Sequence, residues 1–148
     1  MSIEQTSAMP TTGLAAFRVE QWDETPYGEA VGAPALSRAT VTISYSGVIE
    51  GEGRIEYLML ALPDGSSRFV SQERIIGRVA GRVGSCVLQG HGAFAANVAR
   101  GEWTIVPGSG TDELRGLRGE GSFRTDEGGA AVTFRYTIDE RESSSASV

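Results

Sequence analysis

The sequence predicts an all-β protein, a single antiparallel β-barrel of about eight strands. Three observations carry this expectation. Short segments with alternating apolar and polar residues recur along the chain, separated by turns rich in Gly, Pro, Asn or Asp. No stretch of ~10 residues or more has a helical period. The 20 glycines in 148 residues suit many tight reversals better than long helices. An antiparallel meander of this length exposes two strand edges unless it closes on itself, and closure removes both.

The elements follow in order. Residues 1–12 are polar and hold Pro10, which predicts a loose arm ahead of a barrel domain over 13–139. Leu14–Trp22 reads as a first strand with Phe17 and Val19 on one face, and residues 23–35 as a long connection able to lie over a barrel mouth. Leu36–Glu50 alternates most clearly, with Val41, Ile43 and Tyr45 on one side and Thr40, Thr42 and Ser44 on the other. EGEG turns the chain into Arg54–Leu62, and PDGS turns it into Phe69–Val79. Gly81-Arg82 leads to Val83–Phe94, and Ala96-Asn97 to a strand around Trp103 that ends before Pro107. After the glycine-punctuated run to Gly121 come Gly121–Arg124 and Ala131–Ile138. ERESSSASV, residues 140–148, is a polar tail with nothing to bury.

Composition excludes several functions. The net charge is -6, all 13 basic residues are Arg, and the absence of Lys rules out a Schiff-base lysine. An acidic chain without a basic stripe points to no nucleic acid and no membrane as partner. The single Cys86 has no CxxC companion, and one His with one Cys offers no metal-ligand spacing. No signal peptide or membrane span is visible, so the expected address is cytoplasmic.

Cross-strand bookkeeping selects the inward residues. With Gly81-Arg82 as a two-residue loop, one face carries Phe69, Glu73, Ile75, Val79, Cys86, Leu88 and Phe94, apolar apart from Glu73; this is the interior. Carried sideways, the same reasoning sets Gly47, Glu56, Glu73, Gly90 and Trp103 at one level. A one-residue change in the PDGS loop would turn Tyr57 inward in place of Glu56. Two carboxyls in an apolar lumen push one pKa upward, so that one donates a proton while the other accepts it. Glu73 and Glu56 are therefore the candidate catalytic residues. Trp103, Tyr45, Tyr57, Gly90, Gly47, Leu88 and Phe69 are candidate lining for a small apolar substrate. His91 falls outside unless a bulge at Gly90–Gly92 turns it inward. PGSGTDE lacks the Lys and Ser/Thr of a phosphate loop and reads as turn chemistry, while Cys86 reads as a small core filler.

Three ordered blocks, YSGVIEGEGRIEYLM, FVSQERIIGRVAGRVGSCVLQG and WTIVPGSGTDELRGLRGEG, resemble the DUF3224 family, a bacterial family with an allene oxide cyclase-like barrel; the resemblance runs from about Phe17 to Phe123. It implies a hydrophobic lumen and no cofactor, since relatives in that superfamily steer cyclisation of a reactive epoxide or direct radical coupling. The family pattern Gln-His-x-Gly is here Gln89, Gly90, His91, Gly92, so the family's inward His position is Gly90. The expected function is a cofactor-free cyclase or isomerase. The alternatives are a non-catalytic binding barrel, or a structural subunit, a possible homo-oligomer, with a packed lumen.

Overall fold

The computed structural model describes residues 9–126 and 129–141. Eight strands follow in chain order: β1 (Thr11–Tyr27), β2 (Leu36–Gly47), β3 (Ile49–Ala61), β4 (Ser67–Val79), β5 (Arg82–Ala95), β6 (Val98–Ile105), β7 (Leu117–Asp126) and β8 (Gly129–Ile138). Each pairs antiparallel with the next, and β8 returns to β1, with Thr11 opposite Tyr136 and Phe17 opposite Ala130. The barrel is closed. Most of the expected arm lies outside the described residues, but Thr11 and Thr12 are already paired to β8, so the barrel begins before residue 13. Of the expected tail, 142–148 lie outside the described residues, while Glu140 accepts a 2.6 Å hydrogen bond from Arg82 Nη2.

β1 is longer than its pattern suggests, because half of the expected connection, 23–27, pairs with β2. Beyond Phe17 that strand has no partner on its β8 side, so Pro26 costs no ladder bond. A bulge at Glu20 shifts the register between Val19 and Gln21 and thereby keeps Trp22, opposite Val41, on the inner face. Residues 28–35, the rest of that connection, are exposed.

Two hairpins are close to expectation. Ala96-Asn97 turns β5 into β6 with both residues at positive φ (52° and 64°), and Gly90 faces Trp103 as derived. The β4–β5 turn is Ala80-Gly81 rather than Gly81-Arg82, with φ of 51° and 81°. That moves the register by two residues and leaves every side chain on its expected face. Glu73 thus lies opposite Leu88 instead of Gly90.

Two other turns overturn expectations. Leu62 leaves the ladder and joins the β3–β4 loop, closed by Leu62 N–H to Ser66 C=O at 2.8 Å, so Ala61 faces Ser67. The loop is one residue longer than PDGS, and Glu73 faces Ile55. The β2–β3 corner is at Val48, between Gly47 (φ 104°) and Gly51 (φ 126°), not at EGEG. Val48 N–H donates to Leu14 C=O and its C=O accepts from Ala80 N–H, each at 2.9 Å, which ties the corner to both neighbours.

The barrel ends differ. Where β2 turns into β3 and β4 into β5, Ile49, Val79, Leu114 and Leu117 are all fully buried. At the opposite end Phe17, Tyr57, Met59, Phe69 and Phe123 are only partly buried. One end is sealed; the other is a mouth.

The seal is built by the segment after β6. β6 ends at Ile105 and leaves the first half of β5 without a β6 partner. The following residues run along that edge and use side chains as a strand would use carbonyls. Ser109 Oγ accepts from Val87 N–H (3.0 Å), Thr111 Oγ1 from Ser85 N–H (3.0 Å) and Glu113 Oε1 from Val83 N–H (2.7 Å). A 3-10 turn, Asp112–Leu114, then sets Leu114 into the core. PGSGTDE is thus an edge cover, in agreement with its reading as turn chemistry. Thr111→Val keeps the shape but leaves the Ser85 N–H without its acceptor, and urea titration should show a loss of about 1–3 kcal/mol. An unchanged midpoint would refute this role.

Candidate functional site

On the inner faces, Val41, Ile55, Glu73, Leu88 and Ile105 lie side by side across β2 to β6. The next level toward the mouth reads Ala39, Tyr57, Ser71, Gly90, Trp103, Gly121 and Phe134. Glu73 is the buried charged residue of the core, 7% exposed. Of the arginines on the strands only Arg82 has inward register, and it stands at the sealed end, opposite Val79, where its Nη2 bonds Glu140 rather than Glu73.

Tyr45 Oη donates to Glu73 Oε2 at 2.5 Å. Gly53 makes this meeting possible: a Cβ there would collide with Glu73 Oε2 and crowd Ile43 Cγ1 and Tyr45 Cε2, each at 2.9 Å. Burial pushes the Glu73 carboxyl up to about 7 against the lowering effect of the Tyr45 hydrogen bond. The same burial, with Glu73 beside them, raises Tyr45 and Tyr57 above the ordinary phenol range and pushes Cys86 up to about 12. Such a thiol is not a ready nucleophile, in keeping with its reading as a filler.

Aromatic rings surround the pair. Trp22 stacks on Tyr57 (5.8 Å between centroids), Tyr57 meets Phe69 edge-on (5.2 Å), and Phe69 stacks on Phe123 (6.3 Å). Phe123 meets Phe17 (5.6 Å) and Phe17 meets Tyr45 (6.0 Å). The glycines opposite make room for them: Phe69 lies over Gly92, Phe123 over Gly101 and Trp103 over Gly121, each where a Cβ would otherwise stand. Gly90 does not open the gap expected of it, since Ser71 Oγ and Trp103 Cβ fill that place.

Of the expected site residues, Glu73, Tyr45, Tyr57, Phe69, Leu88, Gly90 and Trp103 all occupy inward register positions. Glu56 does not. The longer β3–β4 loop turns it outward, where it accepts hydrogen bonds from Arg38 Nε (2.9 Å) and Thr40 Oγ1 (3.0 Å). The carboxyl pair therefore does not exist, and Tyr57 takes the inward place. Gly47 is also corrected: it is exposed at the end of β2, a corner residue rather than lining. His91 stays outside, paired in an unbroken ladder with Val70 and Glu102, its Nε2 3.7 Å from the Glu102 carboxylate. Phe17, Trp22, Gly53, Ser71 and Phe123 went unnamed as site residues, although the parity of their strands carries Phe17, Ser71 and Phe123 inward. Trp22 needed the bulge, which no residue pattern announces.

Among the surface depressions are four of about 290 to 500 Å³, and the one of about 500 Å³ is lined by polar groups of the outer wall such as Gln89, Glu102, Glu120 and Arg135. None of the four is lined by Glu73. The chemistry is concentrated inside, beneath the aromatic rings.

A closed eight-stranded antiparallel barrel with one inward carboxyl under an aromatic mouth defines the class of protein. Within that class, the chain belongs to the DUF3224 family, described as proteins of unknown function, which it matches over residues 14–136. It is similar to the crystal structure of a DUF3224 protein of unknown function from Shewanella oneidensis MR-1, with 28% identity and a TM-score of 0.71. That alignment covers 88% of this chain and 98% of the other. No curated protein matches the chain. Among the described residues, no helix is long and apolar enough to cross a membrane.

Proposed function

We propose that the protein is a cofactor-free isomerase or cyclase for a small, largely apolar molecule admitted through the aromatic mouth. The observation that carries this reading is the Glu73 carboxyl, 7% exposed, poised near neutral pH and oriented by Tyr45. A carboxyl with that affinity for a proton serves as base and then as acid at neutral pH. It takes a proton from one atom of the substrate and returns it at another, so nothing is gained or lost overall. Tyr45 fixes one carboxyl oxygen and leaves the other for the substrate. The half-buried rings of Phe17, Tyr57, Phe69 and Phe123 part to admit it, and their closure holds a reactive conformer away from water.

A second reading has its own support. The rings touch one another above the carboxyl, an arrangement equally suited to holding an apolar ligand without changing it. Native mass spectrometry of freshly purified protein, with denaturing extraction of whatever is bound, supplies the molecule that separates the two. Returned to the wild type, it should be converted; Glu73→Gln should still bind it but turn it over at least ~100-fold more slowly. A molecule that binds and emerges unchanged establishes the binding barrel. If nothing is retained and an apolar fluorescent probe also fails to bind, the interior is simply packed.

A further inference from the structure

Three polar groups near the top of the barrel interior have no hydrogen-bond partner among the described residues. Tyr45 occupies Glu73 Oε2, which leaves Oε1 of this residue, 7% exposed as a whole, without a donor. The Tyr57 hydroxyl, close enough to feel the Glu73 charge, makes no hydrogen bond. Ser71, cross-strand partner of Tyr57 and two residues from Glu73 on the same face, likewise leaves its Oγ unpaired. Buried polar groups are nearly always satisfied, so the unpaired oxygen of buried Glu73 marks a place for a ligand, and half-buried Tyr57 and Ser71 on the same face add two further polar groups to it.

Their chemistry says which one. When ionised, the carboxylate only accepts; both hydroxyls can accept, and this acid of the core has no cation of the protein beside it. The arginines on the strands occupy outward positions except Arg82, which stands at the sealed end bonded to Glu140, and the chain has no Lys. Around the orphans stand the faces and edges of Tyr57, Phe69 and Phe123, whose π-electrons attract a cation. A ligand carboxylate would set charge against like charge. A ligand hydroxyl brings one donor to three acceptors and leaves the carboxylate charge unpaired. A primary ammonium brings three donors and the missing positive charge.

We propose that the molecule this barrel takes is an amine: an apolar body ending in a primary ammonium whose three N–H groups reach Glu73 Oε1, Tyr57 Oη and Ser71 Oγ. The inference rests on Glu73 facing a ligand, as in the function proposed above, and names the substrate class of that site. With the ammonium in place Glu73 is held ionised, as a base. The rings of Phe69 and Phe123 then cover the charge from the mouth side.

Isothermal titration of the full chain with 2-phenylethylamine, 2-phenylethanol and phenylacetate tests it. The amine should bind at least about tenfold more tightly than the alcohol, as a charge-assisted hydrogen bond exceeds a neutral one, and phenylacetate should not bind. Glu73→Gln should lower the amine affinity by about tenfold or more and leave the alcohol affinity unchanged. Phe123→Leu keeps the apolar volume and removes a π-face, and should weaken the amine about threefold more than the alcohol. An alcohol that binds as well as the amine, with an affinity that falls in Glu73→Gln, overturns the amine assignment and leaves Glu73 as a ligand-facing residue. Absence of binding by all three overturns both.

Discussion

Glu73→Gln makes the protein more stable at pH 8 and leaves it nearly unchanged at pH 4.5. The carboxyl has a pKa of about 7 in the fold against an ordinary value of 4.5. Between those values the folded chain holds a proton that the unfolded chain has released, so stability falls as pH rises through this window. Above about pH 7 the carboxyl is ionised in both states, and the whole cost of burying that charge, roughly 3 kcal/mol, weighs against the fold. Glutamine never ionises. Its amide oxygen still accepts from Tyr45 Oη, and it fits a space of the same volume between Ile55 and Leu88. The difference in melting temperature between variant and wild type should therefore grow from near zero at pH 4.5 to roughly 10 °C at pH 8. Every other titrating group is common to both proteins and cancels in the difference. Parallel profiles would show that Glu73 is no more perturbed in the fold than in the unfolded chain. A gain in stability on removing a charged side chain is the pattern of a group retained for function at a structural cost.

The barrel was legible because its signals are local and repeated. Alternation in β2 through β5 set which residues share a face, and a register error of two residues at the β4–β5 turn did no harm because side chains alternate with period two. Glu73 was found for that reason. Glu56 was misplaced by the same rule: one extra residue in the β3–β4 loop reverses the face, and nothing in PDGS says whether Leu62 belongs to the strand or to the turn. Contacts between distant strands were less visible still. Phe17 and Phe123 meet because β7–β8 folds back onto β1, a closure that composition suggests but whose register it does not set. The role of Gly53 was hidden for another reason, since a glycine's purpose lies in what occupies its missing side chain, here a tyrosine and a carboxyl from two other strands.

The difference between the two ends of the barrel explains how a fold can keep an unsatisfied carboxyl. A closed sheet gains its stability from the inward side chains as a set, and the sealed half contributes a continuous group of fully buried ones. Ile43, Ile49, Ile75, Val79, Cys86, Leu114 and Leu117 are all at or below 2% exposure. The mouth half is held by ring contacts and by glycines that admit them, which leaves room for function where packing is least complete.

That division makes Leu114 the side chain whose truncation should cost most among the aliphatic residues of the seal. It is 0% exposed and is delivered into the core by a 3-10 turn of three residues, not by a strand. Its Cγ packs above Gly84, 3.2 Å from where a Cβ would stand, so β5 offers no side chain to fill a void at that position. The surrounding strands are fixed by their ladders and cannot collapse inward. Leu114→Ala should thus lie toward the upper part of the range for buried leucines, about 2–5 kcal/mol. Leu58, outward on β3 and 46% exposed, is the control, and its replacement by Ala should change stability by no more than about 0.5 kcal/mol. Urea titrations of the two variants, compared at constant slope, measure the contrast directly. Equal and small losses would mean that the segment after β6 is a surface cover without a share in the core. A large loss at Leu114 with unchanged amine binding at the mouth would show that the two ends of the barrel carry stability and function separately.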